Sequence, residues 1–356
     1  MVEDLAGGWW LNAAALFVQL EGVRPAGEEE WYRIGDGYLR VCSADVAFRE
    51  RLKTLFRECA VAAPGPGLLP RVGVTVRSLP DGSFSLVSFD DPEPLDQLAF
   101  SLALFPDRGY GEIAAPSIDW KILGVASPRG LEGIAMSGPH LLVPRTAPWQ
   151  SLAGSLAFSR LVRLQKELLY FHAGSIGMRG AGLLLVGPKG SGKTTLSLAL
   201  AARGHDFLGD EMAGVRVGPL DLVPIRRSLA VRDGARALDV SRALERVGAP
   251  YEPFPDGTER RRAYAAELFP GTAAPATPLR DIVFLNGFGA RPLLQPVAAS
   301  RGQLGLLTPL GATMWGANPV RRARDLISVI TRARCWTLQA GAPDETAALL
   351  EQHLEE

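Results

Sequence analysis

Lysine is scarce in this chain, with five among 38 basic side chains, and the remainder are arginine. The 38 acidic side chains cancel the basic ones, so the formal net charge is zero. A neutral chain lacks the broad basic field that non-specific nucleic-acid binding needs, which excludes DNA or RNA as the expected main partner. Cysteine is also rare. Cys42, Cys59 and Cys335 form no CxxC pair and no Cys/His metal spacing, and their odd number speaks against a disulfide framework. They read as thiols in a reducing cytoplasm. Of the four histidines, His140 and His353 show no partners in the sequence, so no histidine metal site is expected. Long apolar runs are missing. The stretch LAGGWWLNAAALFVQL follows acidic residues, is interrupted by Asn12 and Gln19, and is too short to span a bilayer. The expectation is a soluble cytoplasmic protein with no membrane partner. There is no internal repeat and no low-complexity tract.

What is present divides into two textures. At 356 residues the chain suits two domains. Residues 1–150 read as an α+β recognition or packing domain. WYRIGDGYLRVC has two strand-like runs about an Asp36-Gly37 turn. SADVAFRERLKTLFREC puts Phe48, Leu52, Leu55, Phe56 and Cys59 on one helical stripe, with Ser43 as N-cap. RVGVTVRSLPDGSFSLVSF alternates Val72, Val74 and Val76 before a Pro80-Asp81-Gly82 turn. The proline-rich SGPHLLVPRTAPW sets the expected boundary near residue 150, and a helix over QSLAGSLAFSRLVRLQKELLY follows. Residues 151–356 alternate strand and helix as an α/β domain does. They close with a helix in NPVRRARDLISVITRARC (Asn318 as N-cap, Pro319 in the first turn), a strand in CWTLQAG and a helix in PDETAALLEQHL.

The chemistry is concentrated in GPKGSGKT, between the apolar run LLLV and the helical TLSLALAARG, which Gly204 closes. Gly187, four residues, then Gly192, Lys193 and Thr194 satisfy the phosphate-loop pattern. Glycines let successive backbone N–H groups point at phosphate oxygens, and the helix N-terminus adds roughly half a positive charge. The expected nucleotide-binding residues are Gly187, Pro188, Lys189, Gly190, Ser191, Gly192, Lys193, Thr194 and Thr195. Lys193 is expected to bridge the outer phosphates and the Thr194 hydroxyl to ligate Mg2+. In RGHDFLGDE, Phe207 and Leu208 read as a short strand ending at Asp210 and Glu211. Magnesium takes one or two carboxylates beside phosphate oxygens and water. A carboxylate near an attacking hydroxyl can position it and accept its proton. Asp210 is therefore expected at the metal and Asp210 or Glu211 as base. His172, just before the loop strand, reads either as a packed side chain or as a polar group near the phosphates. His205 reads as a cap on helix-end carbonyls.

The stretch FHAGSIGMRGAGLLLVGPKGSGKTTLSLALAARGHDFLGDE resembles the catalytic domain of HPr kinase/phosphorylase. It is closer still to the HPr-kinase-like proteins associated with modified-peptide biosynthesis. The matching positions are His172, Gly187 to Thr194, the triplet Arg203-Gly204-His205, and Asp210 with Glu211. The resemblance implies a fold related to phosphoenolpyruvate carboxykinase and ATP-dependent phosphorylation of a serine hydroxyl. It also implies catalytic roles for Lys193, Asp210, Glu211 and His172, with ATP and Mg2+ as cofactors. Two departures stand out. The family's second acid is usually aspartate, where this chain has Glu211, and the family's Glu-Ile-Arg-Gly segment has no clear equivalent. DLVPIRRSLAVRDG offers Arg226 and Arg227 instead, read as surface more than phosphate clamp. GTERRRAYAAELFP reads as a basic loop in which Arg260, Arg261 and Arg262 form a lid or a docking strip for an acidic substrate.

Three functions fit. The first is a kinase passing the γ-phosphoryl group of ATP to a hydroxyl of a peptide, protein or small molecule. The second is an ATPase switch with water as acceptor, and the third a scaffold that holds nucleotide without turnover. Homo-oligomerisation is left open, since HPr kinases assemble into rings.

Overall fold

The computed structural model describes residues 12–65, 67, 71–91, 111–113, 121–127, 130–147, 149–232, 238–253, 258–300, 302–304, 306–307 and 319–354. By its contacts the chain divides into two units, Met1–Leu55 with Ala60–Leu164, and Phe56–Cys59 with Gln165–Glu356.

In the first unit, alternation drives the opening hairpin. Tyr32 and Ile34 of β1 (Glu29–Ile34) and Leu39 and Val41 of β2 (Gly37–Cys42) are all buried. Ile34 pairs with Gly37, so the two-residue turn is Gly35-Asp36, one position earlier than the sequence suggested. Gly35 takes the positive φ, as a turn with glycine first requires. The helix Val46–Phe56 buries Phe48, Leu52 and Phe56 as expected. Its cap is Asp45, whose Oδ1 accepts the Phe48 N–H at 2.7 Å, while Ser43 Oγ accepts the Asp45 N–H. The second expected hairpin forms from β4 (Arg71–Ser78) and β5 (Phe84–Phe89), with Pro80-Asp81-Gly82 in its connection.

With β3 (Ala60–Val61), β6 (Gly111–Ile113), β7 (Lys121–Ser127), β8 (Gly130–Ser137) and β9 (His140–Pro144), these strands form one sheet. Among the described residues its order is β3-β1-β2-β4-β5-β9-β8-β7-β6, antiparallel except where β2 meets β4. The helix Gln150–Leu164 buries Ala153, Ala157 and Leu161 and packs on β2 and β4. The division between units therefore falls at 164/165 and not near 150, because this helix covers the first unit's sheet.

The second unit is mixed α/β. Its main sheet contains β10 (Leu168–Phe171), β11 (Gly174–Met178), β12 (Ala181–Val186), β13 (Asp206–Gly209), β14 (Ala213–Arg216) and β15 (Asp221–Val223). The later strands among the described residues are β16 (Leu229–Arg232), β17 (Tyr251–Pro253), β18 (Glu259–Ala263), β19 (Thr277–Phe288), β20 (Leu293–Pro296) and β21 (Arg334–Ala340). The main sheet runs β10-β14-β15-β19-β12-β11-β13, with β21 pairing β19 and β20. β19 is parallel to both β12 and β21.

Successive residues of the central strands face opposite layers. Leu183, Leu185, Val283 and Leu285 pack with Leu196, Leu200 and Leu350 on one side. Leu184, Ile282 and Phe284 pack with Leu326, Val329 and Ile330 on the other. The LLLV run is apolar throughout because both of its faces are covered. The closing helices are Pro319–Arg332 and Pro343–Leu354. Asn318, the expected cap of the former, lies outside the described residues. Among the described residues no helix is long and apolar enough to cross a membrane.

A three-stranded sheet, β16-β18-β17, holds Arg260, Arg261 and Arg262 in its central strand, so they do not form a loop. Arg262 bonds Glu252 and the Ser228 hydroxyl, and Arg261 bonds the carbonyls of Leu244 and Ala249. Arg226 is likewise not a surface residue. It is buried and its Nε donates to Glu58 Oε2 at 2.6 Å.

Candidate active site

The strand β12 delivers the chain to the glycine loop, and the helix Lys193–Ala202 leaves it. Two glycines there answer to local geometry. A Cβ on Gly187 would stand 2.5 Å from Ser191 Oγ, and Gly192 at the head of the helix has φ +93°. Lys193 is only 6% exposed, and its ammonium donates to the carbonyls of Gly187 at 2.8 Å and Pro188 at 3.0 Å. It threads back under the loop, and burial holds its pKa below the usual lysine range. At the other end of the helix, Gly204 has φ +93° and the His205 N–H reaches Leu200 O. The side chains of Arg203 and His205 instead grip Glu351, at 2.8 Å each, in the last helix. The imidazole of His205 thus fixes the C-terminal helix and caps no carbonyl.

Phe207 and Leu208 lie fully buried in β13, and Asp210 follows at its end. The Thr194 hydroxyl donates to Asp210 Oδ2 at 2.7 Å, while Asp210 Oδ1 is buried with no hydrogen-bond partner. Burial, followed by the negative charge of Glu211, raises the Asp210 carboxyl to about 6. A buried acceptor facing a hydroxyl in this way suits a hard divalent cation, and Asp210 and Thr194 are the residues that would hold it. Among the described residues no group of three or more His, Cys, Asp or Glu side chains gathers as a metal site. A magnesium ion needs no such group, because phosphate and water fill the remaining positions.

Glu211 differs from its neighbour. Its side chain is exposed and its backbone sits at φ +59°, a conformation that costs a non-glycine residue on the order of 1 kcal/mol. His172 Nδ1 lies 3.0 Å from the Glu211 carbonyl oxygen, so an N–H there ties down the strained residue. Burial and the Lys193 charge lower the His172 pKa, leaving a neutral ring at pH 7.

One cavity of about 660 Å³ joins these groups. His172, Lys189, Gly190, Gly192, Lys193, Thr194, Thr195, Asp210 and Glu211 all line it. Gly187, Pro188 and Ser191 do not face it, since they form the turn beneath Lys193. Its lining also has an apolar part, with Leu198, Val231, Val240, Leu285 and Phe288. Of the arginines singled out in the sequence only Arg260 reaches it, joined by Arg232, its cross-strand partner. Sequence reasoning missed Arg232 and the apolar wall, which come from strands distant from the loop. The volume is that of a small-molecule site, lined by charged groups of both signs together with apolar side chains.

No known protein family matches the chain, and no curated protein does. Among solved structures it is similar to the Hpr(Ser) kinase/phosphatase from Coxiella burnetii. That likeness has 13% identity and a TM-score of 0.27, over 52% of this chain and 93% of that one.

Proposed function

We propose that this cavity binds ATP with Mg2+ and that the protein is a phosphotransferase passing the γ-phosphoryl group to a hydroxyl, as HPr-kinase-like serine kinases do. The observation that carries the reading is the Thr194–Asp210 bond at 2.7 Å, which brings loop and acid together beside a buried carboxylate oxygen without a partner. The resemblance of residues 171–211 to that family supports the same reading and a phosphoenolpyruvate-carboxykinase-like fold for the second unit. The first unit is then a recognition or packing domain, and the acceptor a peptide, protein or small-molecule alcohol in the cytoplasm.

The roles follow from chemistry. Loop N–H groups from Gly190 to Thr195 hold phosphate oxygens, and Lys193 exchanges its two carbonyl partners for the outer phosphates. Asp210 and Thr194 would hold a magnesium ion, whose charge would offset that of the phosphates. Glu211, exposed at the cavity, orients the acceptor hydroxyl and takes its proton. His172 positions Glu211 through the main chain and, being neutral, adds no charge.

The test is incubation with γ-labelled Mg-ATP and candidate hydroxyl acceptors. A kinase labels the acceptor, and Lys193→Ala and Asp210→Asn each sharply reduce the label. Free labelled phosphate with no labelled acceptor would mark a hydrolytic switch instead, and bound, intact nucleotide a scaffold.

A further inference from the structure

A register irregularity in β19 decides where Phe288 points. In this strand the odd-numbered Val283 and Leu285 face the layer of the phosphate-loop helix, and the even-numbered Ile282 and Phe284 face the opposite layer. Strict alternation would send Phe288 to the opposite layer too. It does not go there. Leu285 pairs with Leu338 and Phe288 with Ala340, so β19 carries one extra residue across this interval. Such a bulge re-aims the next side chain, and Gly287, at φ +78°, supplies the conformation it needs. Phe288 and Leu285 therefore line the same cavity. The Phe288 carbonyl accepts the Gln339 amide at 3.2 Å, and the Gly289 N–H donates to Ala340 O at 2.8 Å, pinning the bulge on both sides.

The ring itself stays bare. Phe288 is 62% exposed, and its Cε1 and Cζ lie 3.5 Å from where a side chain on Gly192 would begin. An exposed phenyl beside a polyanion cradle calls for a ligand with phosphates at one end and a flat apolar face at the other. A nucleotide has that chemistry, and base–aromatic stacking tolerates any base because every base has a π-face. We propose that Phe288 is the platform on which the base of the bound nucleotide stacks. This rests on the reading of the cavity as a nucleotide site and adds the residue that recognises the base.

The experiment compares Mg-ATP with Mg-tripolyphosphate, which has the same anionic chain and no base, by calorimetric titration. Phe288→Ala is expected to weaken ATP binding by about tenfold to a hundredfold and to leave tripolyphosphate binding unchanged. Phe288→Trp, which keeps an aromatic face, is expected to bind ATP at least as tightly as the natural protein. An ATP affinity indifferent to Phe288→Ala, or equal losses for ATP and tripolyphosphate, would overturn the platform while leaving the cradle intact. A natural protein that binds neither ligand would overturn the nucleotide reading and the platform with it.

Discussion

Asp210 and Asp281 belong to the same unit and are each more than nine-tenths buried, yet they are treated in opposite ways. Asp281, early in β19, is saturated. Oδ1 accepts from Arg334 Nε and Trp336 Nε1 at 2.8 Å, and Oδ2 from Arg280 Nε at 2.8 Å and Arg334 Nη2 at 3.0 Å. Asp210 receives one hydroxyl, keeps Oδ1 bare and has Glu211 beside it. A buried carboxylate with all its acceptor sites filled joins strands. One left half-filled, beside the glycine loop, costs stability and is available to a ligand.

Four measurements bear on this contrast. The largest effect is expected on transfer. Asp210→Asn should lower phosphoryl transfer by about 10²–10³-fold, the usual loss when one charge-stabilising group is removed, whereas Asp281→Asn should leave the rate of the folded fraction near that of the natural protein. The order reverses in stability. Chemical denaturation should show Asp281→Asn losing about 2–3 kcal/mol, because the bonds from two arginines and a partly buried indole lose the acceptor's charge and one of its two oxygens.

Asp210→Asn, with no ligand present and above about pH 6, should gain about 1 kcal/mol by removing a buried negative charge that lies beside Glu211. That gain has a defined pH dependence. The carboxyl is raised from 3.8 to about 6, so the folded state binds its proton more tightly than the unfolded state. The cost of ionising Asp210 is absent below about pH 4, grows as pH rises to about 6 and is constant above it. The stability difference between Asp210→Asn and the natural protein should follow that curve, and a flat difference would sink the assignment of strain to this group.

The smallest effect belongs to an intermediate case. Glu351 is partly buried and holds Arg203 and His205 at the end of the helix Lys193–Ala202. Glu351→Gln should cost about 0.5 kcal/mol, as partly solvated pairs do, read as a small shift in denaturation midpoint.

Local periodicity made much of the second unit legible. The glycine loop, the strand before it, the short Phe207-Leu208 strand and the acids after it are contiguous features whose residue types are dictated by nearest neighbours. Asp281 was invisible in the sequence, because its partners Arg334 and Trp336 come from a strand 53 and 55 residues away. The basic run Arg260–Arg262 read as a loop, either a lid or a docking strip, and proved to be a central strand in which Glu252, Ser228 and a carbonyl of another segment hold Arg261 and Arg262.

Sequence alone determined the strand–glycine loop–helix and the position of the acidic pair, because bond geometry, glycine conformations and two- or 3.6-residue repeats act within a few residues. Only the tertiary structure decided which acid is left partly unpaired, that the helix Gln150–Leu164 covers the first sheet, and that Phe288 turns into the cavity. Those outcomes depend on what distant strands bring alongside, and in the last case on a single extra residue in the pairing of β19 with β21. Burial and register are properties of the assembled sheet, and no local window of the chain contains them.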